Sequence, residues 1–536
     1  MDVLYWTFAG PWYLLVALCK LAWWLVRQPF RLLRFMRSRR GAHGSARWAR
    51  RWEQWRKGAI SGEGVILGRG AFRRLLRFST DGLVMVFAAT GAGKGLGVVI
   101  PSLLTYRGSM VVTDPKGENY AITRRHRLTC GKVRMLNPRD LVHSDRFNPM
   151  DMIRRGDATE ADDAAALAAL MVKPDARESH WDDKAAEILK ALILHTLEEP
   201  PSSRTLATVR KLSTGARETF IETLQEIAEH SPSIAAREIA SGAMTSAIDS
   251  DGNFSPEFGS ILSNLQKATA PWSAGAPAGI LSSSSTFQLT ELLGEVSTLY
   301  LCVDEDLLRV YDRWLRVMVG CILNTLTRAK ANRPKRKVVL LLDEAAVLGR
   351  METLESQAGL LRAYCTPVLI WQNMPQITKV YGTDDAKAFL ANASARVFFG
   401  INDNDTAHYV ANMLGNATTI SRSSGVSYTG AGNSSHQEGQ SESGYWLLDA
   451  SEVQRSQTRT IVKLRTVDYP ILGRRIDYRK MWRWRGLWDK WEGTPPPGFN
   501  HAPAPPSDVD EDHDPSLPLV NTGSRSRTGF SGRVPS

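Results

Sequence analysis

LVMVFAATGAGKGLGVVIPSLL, residues 83–104, is the stretch on which the reading of this chain turns. The apolar run Leu83–Phe87 feeds a glycine-rich turn ending in Lys94, and a second apolar stretch follows. Strand, glycine loop, helix is the order that a phosphate-binding loop needs. Glycines let successive backbone N–H groups turn inward on anionic oxygens, the helix N-terminus adds its positive end, and a lysine reaches the β- and γ-phosphates. Thr90, Gly91, Ala92, Gly93, Lys94, Gly95 and Leu96 are the expected nucleotide-binding residues. Two positions depart from the pattern GxxxxGK[ST]. Ala88 stands for the first glycine, and Gly95 for the Ser or Thr whose hydroxyl would hold Mg²⁺.

KVVLLLDEAAVLG, residues 337–349, supplies the second half of such a site. An aliphatic run ending in two carboxylates reads as a buried parallel strand, and the carboxyl end of such a strand is where α/β sheets place ligands. Asp343 is expected to hold Mg²⁺ through water, which matters more if Gly95 cannot; Glu344 is expected to polarise the attacking water. In isolation the run would equally suit a strand followed by a helix-capping acid. Beside a phosphate loop it points to a bound nucleoside triphosphate with Mg²⁺.

A chain of 536 residues holds two to four domains. Its formal charge is +12, but residues 1–57 carry twelve Lys or Arg against two acids, so most of the excess lies there. A general argument from basicity to nucleic acid therefore fails. Leu4–Val26 is instead a mostly apolar run rich in Trp and Tyr, followed directly by arginines from Arg27 to Arg51. About 20 apolar residues span a bilayer and cationic residues flank the cytoplasmic side. The expectation is a single-pass protein of the bacterial inner membrane with the bulk of the chain cytoplasmic. Lys20 and Pro11 leave open an anchor lying in the membrane plane. Five scattered cysteines without CxxC spacing read as reduced thiols.

The remaining pattern is βαβ, interrupted. SMVVTDPKGE (109–118) is a further strand; STLYLCV, KVVLLLD, TPVLIWQ and ARVFFGI resume the strand signal from residue 297. Between them the chain reads as helix, with Trp181, Ala185, Ile188, Leu189, Leu192 and Ile193 at helical spacing. The expected order is an anchor (1–26), a basic linker (27–57), a first nucleotide-binding part (58–150), an all-α insert (151–284), a second nucleotide-binding part (285–492) and a disordered Pro/Ser-rich tail (493–536). Ser/Gly-rich residues 421–444 read as a mobile loop.

GAGKGLGVVIPSLLTYRGSMVVTDPKGENY, LLDEAAVLGRMETLESQAGLLRAYCTPVLIWQNMPQI and YGTDDAKAFLANASARVFFGINDNDTAHYVANMLG resemble, in that order, the TraG/TraD-type coupling proteins of type IV secretion and conjugation. GKG in place of GK[ST], DPKGE, DEAAVLG and WQN carry the likeness from about Gly64 to Tyr478. The resemblance implies an α/β, RecA-like P-loop ATPase with an inserted all-α domain behind an N-terminal membrane helix, assembling as a homo-hexamer. It implies ATP and Mg²⁺ as cofactors, with Lys94 on phosphate, Asp343 on Mg²⁺ and Glu344 on the water. By motif position Gln372 resembles a γ-phosphate sensor and Arg362 a candidate arginine finger; a strand-end amide and a surface arginine are the alternatives. Members often have two membrane spans, whereas one apolar run here is long enough.

The expected partners are DNA, single- or double-stranded, with a relaxase, and inner-membrane secretion-channel components. Protein effectors as the cargo, or a non-catalytic nucleotide-binding receptor, are the other readings.

Overall fold

The computed structural model describes residue 23 and residues 44–79, 82–173, 179–248, 254–330, 332–356, 358–429 and 433–499. Aliphatic runs that are buried on both faces belong in the middle of a parallel sheet, and that is where this chain puts them. β1 is Val65–Arg69, β2 Leu75–Phe78, β3 Val84–Ala88, β4 Met110–Asp114, β5 Lys132–Leu136, β6 Ser297–Cys302, β7 Val338–Leu342, β8 Cys365–Trp371 and β9 Ala395–Phe399. A hairpin follows, β10 Asn416–Thr429 and β11 Asn433–Trp446, then β12 Arg459–Leu464 and β13 Ile471–Arg474.

Eleven of these strands form one sheet in the order β2-β1-β13-β12-β9-β3-β8-β7-β4-β6-β5. From β9 to β5 every pairing is parallel; β12, β13, β1 and β2 extend it antiparallel. Alternate residues of each central strand serve opposite faces. Met85 and Phe87 enter the larger core, and Val84, Val86 and Ala88 the smaller one. Phe87 stacks on Phe398 of β9, ring centroids 5.1 Å apart.

Between β5 and β6 the described residues are helical, including Glu160–Met171, Ser179–Thr196, Leu206–Ser213, Arg217–His230, Ile234–Ala247 and Pro256–Thr269. Ala185, Ile188, Leu189, Leu192 and Ile193 of the second helix are buried, as the helical spacing requires. These helices share one apolar core with a face of the sheet.

Three expectations change. The single-pass membrane placement is corrected: among the described residues no helix is long and apolar enough to cross a membrane. The two longest, Ser179–Thr196 and Asp312–Arg328, carry several charged residues each and bury their apolar sides in the core. The candidate run Leu4–Val26 lies outside the described residues apart from Trp23. Of residues 421–444, read as a loop, those described (421–429 and 433–444) instead pair in register within β10 and β11, which run from Asn416 opposite Trp446 to Thr429 opposite Asn433.

The tail expected from Gly493 onward begins with packed chain. Pro497 O accepts from Tyr120 Oη (3.2 Å) and Arg124 Nη1 (2.9 Å). The descriptions stop at residue 499.

Arg127, on the helix Glu118–Leu128, ties the crossover from β3 to β4 onto β6. It is fully buried, and burial pulls its pKa down. It donates to Thr298 Oγ1 (2.7 Å), to Gly108 O (2.7 Å) and to Tyr106 O. Arg127→Met keeps the length of the side chain but leaves those acceptors unpaired, which costs about 3 kcal/mol. A urea-unfolding midpoint shifted down by that amount is expected; unchanged stability would show that Arg127 does not hold the crossover.

Candidate nucleotide-binding site

Lys94 ends the loop after β3, Asp343 and Glu344 follow β7, and Gln372 follows β8. Because β3, β8 and β7 are neighbours running the same way, all four residues emerge at one carboxyl edge of the sheet. Register sharpens this: Phe87 pairs with Trp371 and Leu342 with Leu369, so the strand ends lie nearly level.

The four side chains meet. Lys94 Nζ stands 2.8 Å from Asp343 Oδ1 and also donates to Glu344 Oε1. Gln372 Nε2 donates to both Glu344 oxygens, at 3.1 and 2.9 Å. Glu344 adopts a left-handed backbone (φ 56°, ψ 51°), uncommon for a residue with a Cβ, and its N–H donates to Asp343 Oδ1 at 3.0 Å. Thr113 Oγ1 donates to Asp343 O (3.0 Å), joining β4 to the same edge.

Electrostatics follow from burial and charge. Burial opposes the charge on Lys94, yet the two carboxylates outweigh it and raise its pKa. At Asp343 burial is the larger effect and raises the pKa against the pull of Lys94. Asp114, at the end of β4, is pushed up to about 7 by burial although Tyr120 N–H (2.8 Å) and Asn119 Nδ2 (3.1 Å) donate to it.

The loop has the conformation that phosphate binding asks for. Gly91 (φ 75°) and Gly93 (φ 77°) are left-handed. A Cβ on Gly91 would meet nothing within 4 Å, so the loop opens there onto free space. After Lys94 the helix begins with a wide turn, Gly95–Val99, in which Ile100 N–H reaches back to Gly95 O. Such five-residue turns recur at functional sites. Thr90 is exposed, Ala92 buried, and Leu96 is half-buried against the cluster that contains Ile66 and Ile100. Among the described residues no three His, Cys, Asp or Glu side chains gather as a metal cage.

Arg362 stands apart. It is exposed, three residues before β8, and therefore lies at the amino edge of a sheet whose carboxyl edge carries Lys94. Lys116, also singled out by the DPKGE motif, is half-exposed and pairs with Glu305 (3.3 Å).

Two residues were not found in the sequence. Arg475, just past β13, donates from Nη2 to Ala92 O within the phosphate loop and from Nη1 to Gln457 O (2.7 Å). Its guanidinium lies so close that a Cβ on Gly93 would come within 2.8 Å of Nη2. Asn119 faces Asp114 and the start of the loop helix. DPKGEN gave a hint of Asn119 by proximity, whereas nothing local marks Arg475.

The family model described as "Type IV secretory system Conjugative DNA transfer" matches residues 44–502. The conjugal transfer protein TraG of Escherichia coli is 28% identical over 419 residues, covering 70% of this chain and 65% of TraG. VirD4 of Rhizobium radiobacter is 27% identical over 452 residues, 80% of this chain and 64% of VirD4. The chain thus spans slightly under two thirds of these curated relatives. Among solved structures, the unbound conjugative coupling protein TrwB lacking its N-terminal segment aligns with TM-score 0.59 at 15% identity, over 81% of this chain and 95% of TrwB. TrwB in complex with ADP and Mg²⁺ gives 0.58 at 14%, over 82% and 97%. At that identity the likeness establishes the α/β fold with its large parallel sheet.

Arg475→Ala removes the hydrogen bonds that hold Ala92. ATP affinity should fall about tenfold, the equivalent of about 1.4 kcal/mol, with the melting temperature little changed. Unaltered affinity in a fluorescence titration would show that the clasp is not part of the binding site.

Proposed function

Because this chain belongs to the conjugative DNA-transfer family of type IV secretory systems, we propose that it is a coupling ATPase that drives DNA, with its attached relaxase, into a secretion channel. The observation that carries the reading is the meeting of Lys94, Asp343, Glu344 and Gln372 at one strand edge beneath an open glycine loop.

In this reading Lys94 exchanges its carboxylate partners for the β- and γ-phosphates of ATP. Asp343 would hold Mg²⁺, which would supply neutralisation of the phosphate oxygens. Glu344, then released from Lys94, accepts a proton from the attacking water, and Gln372 fixes the direction of its carboxylate. A left-handed backbone at Glu344 aims that carboxylate across the end of β8 instead of along β7.

Arg362 bears on assembly. Its place at the amino edge puts it out of reach of its own loop, so an arginine-finger role requires a second copy, in keeping with a homo-hexamer whose sites lie between subunits. We assign residues 58–150 and 285–492 to the nucleotide-binding domain, and residues 151–284 to an inserted all-α domain that reads the cargo.

ATP turnover by the full chain tests this reading. Lys94→Ala should lower turnover at least about 100-fold, and Glu344→Gln should keep ATP binding while slowing hydrolysis by about 10²–10⁴. DNA should raise wild-type turnover, and salt should suppress the rise through counterion release. Turnover indifferent to DNA would shift the cargo to protein alone; binding without turnover in any assembled state would refute the motor.

A further inference from the structure

We infer that the carboxamide oxygen of Asn119 supplies the neutral oxygen ligand that Gly95 lacks, with Asp114 as the residue that positions it. The inference rests on reading the loop as a Mg²⁺–nucleotide site. In loops ending GK[ST] the last hydroxyl is a neutral oxygen facing the ion. Glycine at 95 removes it, and Mg²⁺, which binds few protein groups directly, loses one of them.

Two observations place Asn119 at that gap. A Cβ built on Gly95 would find one atom beyond its own turn within 4 Å, and that atom is Asn119 Oδ1, at 4.0 Å. The other end of the amide is already fixed. Asn119 Nδ2 donates to Asp114 Oδ1 at 3.1 Å, while Asp114 Oδ2 accepts from Tyr120 N–H at 2.8 Å. The two amide atoms point in different directions, so pinning the nitrogen on Asp114 turns the oxygen toward Gly95.

Asn119 is 6% exposed and sits in the first turn of the helix Glu118–Leu128, where packing holds its rotamer. Asp114 and Asp343 line one small cavity, so the anchor of the amide and the carboxylate that would share the ion border the same space. Being neutral, the amide leaves the balance among Lys94, Asp343 and Glu344 as a hydroxyl would. An acid at 119 would not.

A purely structural Asn119, present only to satisfy Asp114, predicts a different response to substitution. Gly95 does not have positive φ and its Cβ position is free of close contacts, so a side chain is tolerated there. The full chain is titrated with Mg²⁺ at a fixed concentration of a fluorescent, non-hydrolysable ATP analogue, and the half-saturating Mg²⁺ is read. Asn119→Ala should raise it about tenfold, within the range typical of lost supporting contacts at metal sites. Adding Gly95→Ser to that variant should restore it to within about threefold, because the hydroxyl returns at the usual place.

An unchanged Mg²⁺ requirement in Asn119→Ala overturns the inference. So does a defect that Gly95→Ser leaves unrelieved in a protein melting at the wild-type temperature. If Asn119→Ala does not fold, Gly95→Ser alone decides: a gain of less than about threefold means the position is already served, whereas about tenfold means it is not. A wild-type chain that binds the analogue with no Mg²⁺ dependence would refute the reading of the loop itself, a result separate from either.

Discussion

Lys94 joins two segments 250 residues apart in sequence, the loop after β3 and the carboxylates after β7. Between them runs β8. Two strand spacings amount to about 9–10 Å, which a lysine and a glutamate can bridge only if the strand ends are level and nothing bulky rises from the end of β8. The pairings Phe87–Trp371 and Leu342–Leu369 provide the level. Gln372 fills the remaining gap and donates both contacts to Glu344. A shift of the register by one residue would reverse the faces of β8, taking Trp371 out of the core and Gln372 out of the site.

Charge makes this edge responsive to ligands. One cation faces two anions in a partly buried place, and a third carboxyl, Asp114, is so buried that its pKa is lifted to about 7. Removing Lys94 would leave the two carboxylates facing each other uncompensated, which is costly in a low-dielectric setting. A polyphosphate with its metal brings both signs at once and can replace the internal pairing charge for charge. The clasp of Arg475 on Ala92 links the same loop to β13, so the antiparallel side of the sheet is mechanically tied to the site.

Much of this was legible in the sequence because the central strands are buried on both faces. β3 and β7 read as unbroken apolar runs and β4, β6, β8 and β9 as mostly apolar ones, and the site residues at their ends came with them. β1 was legible as the short strand and turn of SGEGVILGRG (61–70), whereas β2, β5, β12 and β13 mix Arg, Lys and Gly into short runs such as KVRML and ILGR, which periodicity cannot separate from loop. Arg475 and Asn119 reach the loop through contacts distant in sequence, to Ala92 and toward Gly95, that leave no local pattern. Composition misled in the Ser/Gly-rich hairpin, where cross-strand pairing determines the structure. The start of the Pro-rich tail was misread for a similar reason, since contacts with a distant helix hold it in place. Hydropathy pointed to a membrane span that no helix among the described residues provides.

The central claim is that Asp343 and Glu344 compete with phosphate for Lys94. ATP affinity of Asp343→Asn, measured by calorimetry with and without Mg²⁺, tests it most directly. Without Mg²⁺ the variant should bind ATP more tightly than wild type, because an anion has left the site and Lys94 is freer to turn. With Mg²⁺ it should bind more weakly, because the ion has lost its carboxylate. Weaker binding in both conditions, or no change in either, would contradict the account.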